Sequence, residues 1–483
     1  MNQSNIPVDF LSIRSAIAGF ELSPRVEPNE EITLERAFLP AGHRGVLDYK
    51  RQLIVGNRGM GKSFWTHALL NPQLRARLAD AYGHPQLSDA IVEVGFNGSI
   101  KLGGPTPTID EISGLYSKNI DPDTIWRAVI LRTANHVLKR PAVSLSDAVG
   151  QLQNAPLSYS QTLSALDFHL GANGQSMLIV FDALDRLGRS WESIRNLTRS
   201  LLRQALDLQS FRCIRAKIFM RVDQFSDDEL FRFQDSSKIR NDHVNLLWRP
   251  SELYGLLIFE ILRNKGGKLN LLNLAKAIRA ERALPSQSSD GISHIDEQTR
   301  LIEAISGEFM GSNKKRGRVY SWVPLHLSDA ANTCSPRSFL IAWQKAAEHD
   351  PPPVHRALDH LGLQDGVRSA SSSRLSELYE DYPWIKPALE SLSRQFVPIE
   401  RSQLFELWKS KRVLQDIATA SQHDPTSAPV GFNDGNELDR LLNAMKNVAV
   451  MEERSNGKIN VPDIFRVDAQ ILRKGGVAVP KRS

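Results

Sequence analysis

The sequence predicts an α/β fold, a parallel sheet covered by helices on both faces, and three observations lead there. From about residue 46, short apolar runs alternate with helix-like segments. One run, Leu53-Ile54-Val55, leads into Gly56-Asn57-Arg58-Gly59-Met60-Gly61-Lys62-Ser63 and then into the helix-like Phe64 to Leu70. Another, Met177-Leu178-Ile179-Val180-Phe181, is apolar throughout and ends in Asp182. Strands without polar alternation are buried on both faces, which is the condition of a parallel sheet between helical layers.

The strands are expected at 52–55, 90–95, 177–181, 217–222 and 244–248. Between them, Asp121-Pro122 reads as an N-cap with proline at the first helical position, opening a helix to about Lys139. A second helix is expected over 191–208, with Ile194, Leu197, Leu201 and Ala205 on one face. The glycines and prolines of 97–120 read as a loop or irregular insertion. Helical character returns over 253–263 and extends to about 348, interrupted by a polar loop at 286–291. His349-Asp350-Pro351-Pro352-Pro353 and Ser371-Ser372-Ser373 read as breaks. Beyond them, helices are expected at 387–396, 401–408 and 437–445. Asn456-Gly457 then reads as a type I′ hairpin turn. Helices followed by a hairpin describe a winged helix.

With 483 residues the chain is too long for one core. The expected division is a lead-in over 1–45, irregular but packed on the core, the sheet domain over 46–265, a helical lid over 266–350, a linker over 351–380 and the winged-helix-like module over 381–483. A hydrophobic content of 41% with 24% charged residues is that of a globular protein. The net charge of +6 permits nucleic acid as a partner without requiring it. Cys213 and Cys334 are the only cysteines, which excludes a disulfide framework and a cysteine zinc site and suits a reducing cytoplasm. The start of the chain has no signal-peptide pattern and no apolar run approaches a membrane span, so a cytoplasmic protein without a membrane partner is expected.

The chemistry follows from residue types and spacing. Residues 56–63 satisfy G-x-x-x-x-G-K-[ST] between a strand and a helix, the order a phosphate cradle needs. Glycines let backbone N–H groups approach phosphate oxygens, Lys62 would reach the outer phosphates, and the Ser63 hydroxyl would ligate Mg²⁺. Gly56 to Phe64 is therefore the expected nucleotide-binding segment. Asp182, at the carboxyl end of a buried strand, would complete the metal shell. Asp185 is a candidate for polarising water, or else an N-cap or surface acid. An Asn-Lys-x-Asp guanine reader is missing, since Asn264-Lys265-Gly266-Gly267 lacks the aspartate, and so is the signature of an ABC ATPase.

With these residues the chain resembles the P-loop ATPases of the AAA+ and STAND division, over roughly 46–345. The Asp182-Ala183-Leu184-Asp185 spacing is more similar to STAND and KAP-type members than to AAA+ proteins, in which the second acid follows the first directly. The resemblance implies ATP and Mg²⁺ as ligands and slow, regulatory hydrolysis. It implies a polar sensor at the end of the fourth strand, Arg221 or Asp223, and a lid arginine, for which Arg337 in Ser335-Pro336-Arg337 is the candidate. Lys238 and Arg240 occupy the region that donates an arginine finger to a neighbouring subunit. Two functions are implied: a switch or scaffold that assembles as a homo-oligomer or with a separately encoded effector, possible in bacterial defence, or a DNA-bound loader or motor. For the second, Lys314, Lys315, Arg316 and Arg318 are candidate phosphate contacts, equally able to meet an acidic partner. The wing's Arg454 and Lys458, with Arg473 and Lys474, are suited to DNA, but Glu452, Glu453 and Asp463 leave protein contact an equal reading.

Overall fold

The structure, a computed structural model, describes residues 8–22, 37–101, 104–188, 190–285, 294–432, 435–474 and 477. It is a P-loop α/β fold followed by a helical lid and a winged-helix module. The expected loop at 286–291 lies outside the described residues.

Five parallel strands, β1 (Leu53–Val55), β2 (Ile91–Phe96), β3 (Met177–Phe181), β4 (Ile214–Met220) and β5 (Val244–Asn245), lie in the order β2-β3-β4-β1-β5. Alternate residues face opposite ways. Leu53, Ile179, Ile218 and Met220 face one apolar cluster with the helices Pro122–Val137 and Trp191–Asp207. Ile54, Leu178, Val180 and Phe219 face another with Trp65 and Leu69 of the helix Lys62–Leu70. Pairing of Val55 with Met220 and of Phe181 with Ile218 brings the carboxyl ends of β1, β3 and β4 to one edge, with β4 in the middle.

A third apolar cluster is separate from the sheet's two and holds most of the remaining chain. It runs from the helix Phe10–Ala18 through the lid helix Pro336–Glu348 and the helix His360–Asp381 into the winged-helix module. In that module the helices Arg401–Ser410, Val413–His423 and Glu437–Asn447 precede a hairpin of β7 (Glu452–Glu453) and β8 (Ile459–Asn460). The strand β6 (Phe396–Val397) pairs in parallel with β9 (Leu472–Arg473).

Several expectations are corrected. Residues 10–18 of the lead-in are helical, because Asp9 caps the N–H groups of Leu11 and Ser12. Within 97–120, Thr108 and Glu111 form a reciprocal capping box that starts a helix at Ile109, a local signal outweighed in sequence by the neighbouring glycines. β4 begins three residues before the expected 217 and ends at Met220, because Arg221 caps a short helix, Val222–Phe225. β5 ends at Asn245, where the Leu247 N–H turns back to the Asn245 carbonyl at 3.0 Å. The helix expected over 387–396 is Ile385–Glu390, and Phe396 already lies in β6. The hairpin turn is not type I′: of its central pair only Gly457 has positive φ (77°). The Gly457 N–H bonds Arg454 and the Arg454 N–H bonds Lys458, which closes a three-residue turn with a left-handed glycine at its end.

The serine break at 371–373 lies inside a continuous 22-residue helix, His360–Asp381. The small residues serve close packing. A methyl group on Gly362 would stand 2.7 Å from the Ala346 carbonyl oxygen, one on Gly366 would overlap that of Ala342, and Ser371 is fully buried. The lid helix and this helix therefore meet backbone to backbone. Gly366→Ala should destabilise the chain by about 1–3 kcal/mol, since the clash is with backbone that cannot rotate away. A lower denaturation midpoint at unchanged slope in urea is the expected result.

Candidate functional site at the carboxyl edge of the sheet

The strand β1 ends at Val55, and the Gly56 N–H, bonded to the Met220 carbonyl at 3.1 Å, starts the phosphate loop in register with β4. Two glycines of the loop take conformations that side chains resist, Gly59 at φ 82° and Gly61 at φ 106°. Space around Gly61 is open for 4 Å where a Cβ would point, whereas a Cβ on Gly59 would come within 2.7 Å of the Ser335 hydroxyl. The loop thus opens outward at Gly61 and touches the start of the lid at Gly59. Met60 is buried, and its carbonyl accepts from the Trp248 indole at 3.1 Å. Phe64 stacks edge-on against Trp65, whose indole donates to His43 at 3.0 Å.

Lys62 is folded back on its own loop, with its ammonium donating to the carbonyls of Gly56 at 2.6 Å and Asn57 at 3.1 Å. Burial, aided by the neighbouring charge of Arg221, pushes its pKa down to about 8. Held this way, the half-buried ammonium has no carboxylate at ion-pair distance among the described residues. Ser63, one residue on, is exposed.

Asp182 follows β3 directly. Its carboxylate accepts from the Thr66 hydroxyl at 2.9 Å and from the Ala183 N–H at 2.7 Å, so the helix Lys62–Leu70 fixes it next to the loop. Burial raises its pKa, opposed by those two bonds and by Lys62. Asp185 is exposed on the turn after it and meets Arg221 at 3.7 Å.

Arg221, at the end of the middle strand, is the most heavily coordinated charge at this edge. Asp223 lies at 3.2 Å, Asp381 at 3.4 Å and the Tyr382 ring centroid at 4.7 Å. Burial opposes its charge, but Asp223, Tyr382, Asp381 and Asp185 outweigh burial and hold its pKa above the ordinary arginine value. Arg58 of the loop reaches the same helix end, pairing with Asp381 at 3.0 Å and Glu380 at 3.2 Å. Arg337, in the first turn of the lid helix capped by Ser335, pairs with Glu377 at 2.9 Å. The structure thus brings Arg58, Lys62, Asp182, Asp185, Arg221 and Arg337 around one edge.

Sequence reasoning missed Thr66, Glu377, Glu380, Asp381 and Tyr382. For Glu380 and Asp381 a signal exists, since carboxylates in the last turn of a helix oppose its dipole and no basic residue accompanies them there, whereas Glu377 has Arg374 one turn before it. Thr66 carries no such signal. The basic stretch stands apart from this site. Lys314, Lys315 and Arg316 form an exposed turn, and Arg318 is tied to Glu303 at 2.9 Å and Glu308 at 3.0 Å. Lys238 pairs with Asp235 at 2.9 Å and Arg240 with Asp228 at 2.7 Å.

No family model and no curated protein matches the chain. Distant likenesses among solved structures include the ORC2 protein of Aeropyrum pernix in ADPNP–ADP complexes, 12% identical at a TM-score of 0.29, over 93% of this chain and 97% of that one. Cdc6p from Pyrobaculum aerophilum is 15% identical at a TM-score of 0.28, over 93% of each chain. The Aeropyrum pernix ORC1 protein in complex with DNA is 14% identical at a TM-score of 0.30, also over 93% of each.

The depressed pKa of Lys62 has a consequence for stability. Its folded value of about 8 lies below the ordinary 10.5, so the unfolded chain binds this proton more tightly and the folded chain gains stability as pH rises through that interval. Lys62→Ala lacks that gain. Nucleotide-free denaturation at pH 7 and pH 10 should show the stability difference moving toward the wild type at the higher pH, and parallel pH profiles would contradict it.

Proposed function

We propose that this chain binds ATP with Mg²⁺ at Gly56–Ser63 and hydrolyses it slowly, as a switch that repositions its lid and winged-helix module. The observation that carries the reading is the convergence of an open, positive-φ glycine loop, a half-buried lysine that bonds only loop carbonyls among the described residues, and a strand-end aspartate on one edge of a parallel sheet. Lys62 would exchange the loop carbonyls for phosphate oxygens, which supplies a counter-charge to a half-buried ammonium. Phosphate would then raise the pKa of Lys62, so binding weakens as pH climbs above about 8.

The donor set suits Mg²⁺. No group of three or more His, Cys, Asp or Glu able to cage a metal occurs among the described residues. A carboxylate and a hydroxyl completed by phosphate oxygens is how Mg²⁺ is commonly held, and Asp182 with Ser63 offers those two. When bound, the ion would neutralise charge on the transferring phosphoryl group. Asp185 is the candidate for orienting water and would leave Arg221 to do so. Arg221 and Arg337 supply positive charge from the core and from the lid, the condition for stabilising the transferred group only when both bodies are in place.

For the output, pairing within the module favours a protein partner, a second copy or a separate effector, over DNA. Lys458 of the wing pairs with Glu400 at 2.9 Å, Arg454 lies 3.6 Å from Glu452 and Arg473 lies 3.3 Å from Asp463, so three of the module's cations suited to DNA already have a carboxylate beside them. The exposed Lys314-Lys315-Arg316 turn supports the DNA-loader reading instead. Binding to duplex DNA that falls steeply with salt and weakens on neutralising these residues would select it. No observation selects a defence role.

Turnover and equilibrium binding test the central reading. Lys62→Ala should lose ATP affinity by at least about tenfold. Asp182→Asn should retain binding and lose about 100-fold or more in steady-state turnover. Wild-type affinity in Lys62→Ala would overturn the site.

A further inference from the structure

The arginines around the glycine loop, unlike Lys62, already have carboxylate partners, and three of those partners lie within five residues. Glu377 holds Arg337 at 2.9 Å, Glu380 holds Arg58 at 3.2 Å, and Asp381 lies between Arg58 at 3.0 Å and Arg221 at 3.4 Å. All three acids occupy the last turn and a half of the helix His360–Asp381, where the helix dipole disfavours negative charge and no base is present in the last turn. Among the described residues, Glu380 and Asp381 meet only the arginines of the sheet edge, whereas Glu377 also keeps Arg374 of its own helix at 3.3 Å. We propose that this helix end latches the nucleotide-free chain, and that ATP phosphates displace its carboxylates from Arg58, Arg221 and Arg337, releasing the end of the helix and the module that follows it. The proposal rests on the reading of Gly56–Ser63 as an ATP site.

Three features make the exchange physical. Each arginine comes from a different element: Arg58 from the phosphate loop, Arg221 from the end of β4 and Arg337 from the lid. A phosphate group among them offers several acceptor oxygens and competes directly with carboxylates for the same planar donors. Bringing a triphosphate beside Glu377, Glu380 and Asp381 without displacing them would add negative charge to an edge that also holds Asp182, Asp185 and Asp223. The joint is able to give way. The buried apolar cluster of the lid and module is distinct from those of the sheet, and the two bodies meet through these ion pairs and a few partly buried rings such as Trp191 and Trp248. A cavity of about 310 Å³, lined by Trp191, Asp223, Gln224, Tyr382 and Trp384, lies between the core and the module beside the latch.

Two measurements on the full-length protein test this, after binding of a fluorescent ATP analogue with Mg²⁺ has been established for the wild type and shown to be lost in Lys62→Ala. The first is amide hydrogen exchange over 377–384 with and without ATP. Release predicts exchange faster by about fivefold or more on adding ATP, the reverse of the protection that a nucleotide merely packed against the helix would give. The second is analogue affinity. Asp381→Asn should bind about tenfold more tightly and exchange fast over 377–384 even without nucleotide. Glu380→Gln changes a side chain that is 67% exposed, so it does not endanger folding, and should shift both readouts the same way by less. Unchanged or slower exchange in a wild type that binds ATP overturns the latch and leaves the ATP site standing. A folded wild type that binds no ATP overturns both.

Discussion

A guanidinium taken almost out of water must have anions around it, and Arg221 imposes that condition on three parts of the chain at once. It sits at the end of the middle strand, so whatever satisfies it must come from the loop after β3, the turn after β4 or the body beyond the sheet. Here all three contribute, through Asp185, Asp223 and Asp381. Leaving such a charge unpaired costs far more than the pairs gain over water, so the contact between core and module is set by need for a partner and not by its number of ion pairs. Any stronger anion arriving at this edge changes which groups that need selects.

The sheet explains why one residue can have this reach. In the order β2-β3-β4-β1-β5, the phosphate loop and Asp182 leave strands that are not adjacent, and β4 lies between them. A residue just past β4 therefore stands between the glycine loop and Asp182 whatever its identity. The Thr66 hydroxyl ties the helix after the loop directly to Asp182, and the Gly56 N–H ties the loop to β4 through the Met220 carbonyl.

Much of the α/β core was legible because its signals are local. Strand burial on both faces, the loop 56–63 with its flanks, and Asp182 after five apolar residues each depend on neighbours in sequence. The same holds for the Ser335 cap that places Arg337. What was missed depends on distant partners. Ser371 looks like a break in isolation and is a packing residue only because another helix lies against it. Asp381 looks like a surface acid and meets Arg58, 323 positions away. The turn at Asn456-Gly457 was misread for a different reason: the dipeptide suits more than one hairpin, and the bonds of Arg454 decide between them.

The backbone contact at Gly362 and Gly366 also sets a gearing ratio. Two helices joined that closely cannot slide past each other, so the 22-residue helix behaves as a stiff rod roughly 33 Å long. Its carboxyl end is at the phosphate loop, and its first residues line a depression shared with Arg316 of the exposed basic turn. A tilt of roughly 10° about the loop end would carry the other end by about 6 Å. Displacements too small to notice among the arginines would thus arrive at the far surface as a movement the length of a side chain.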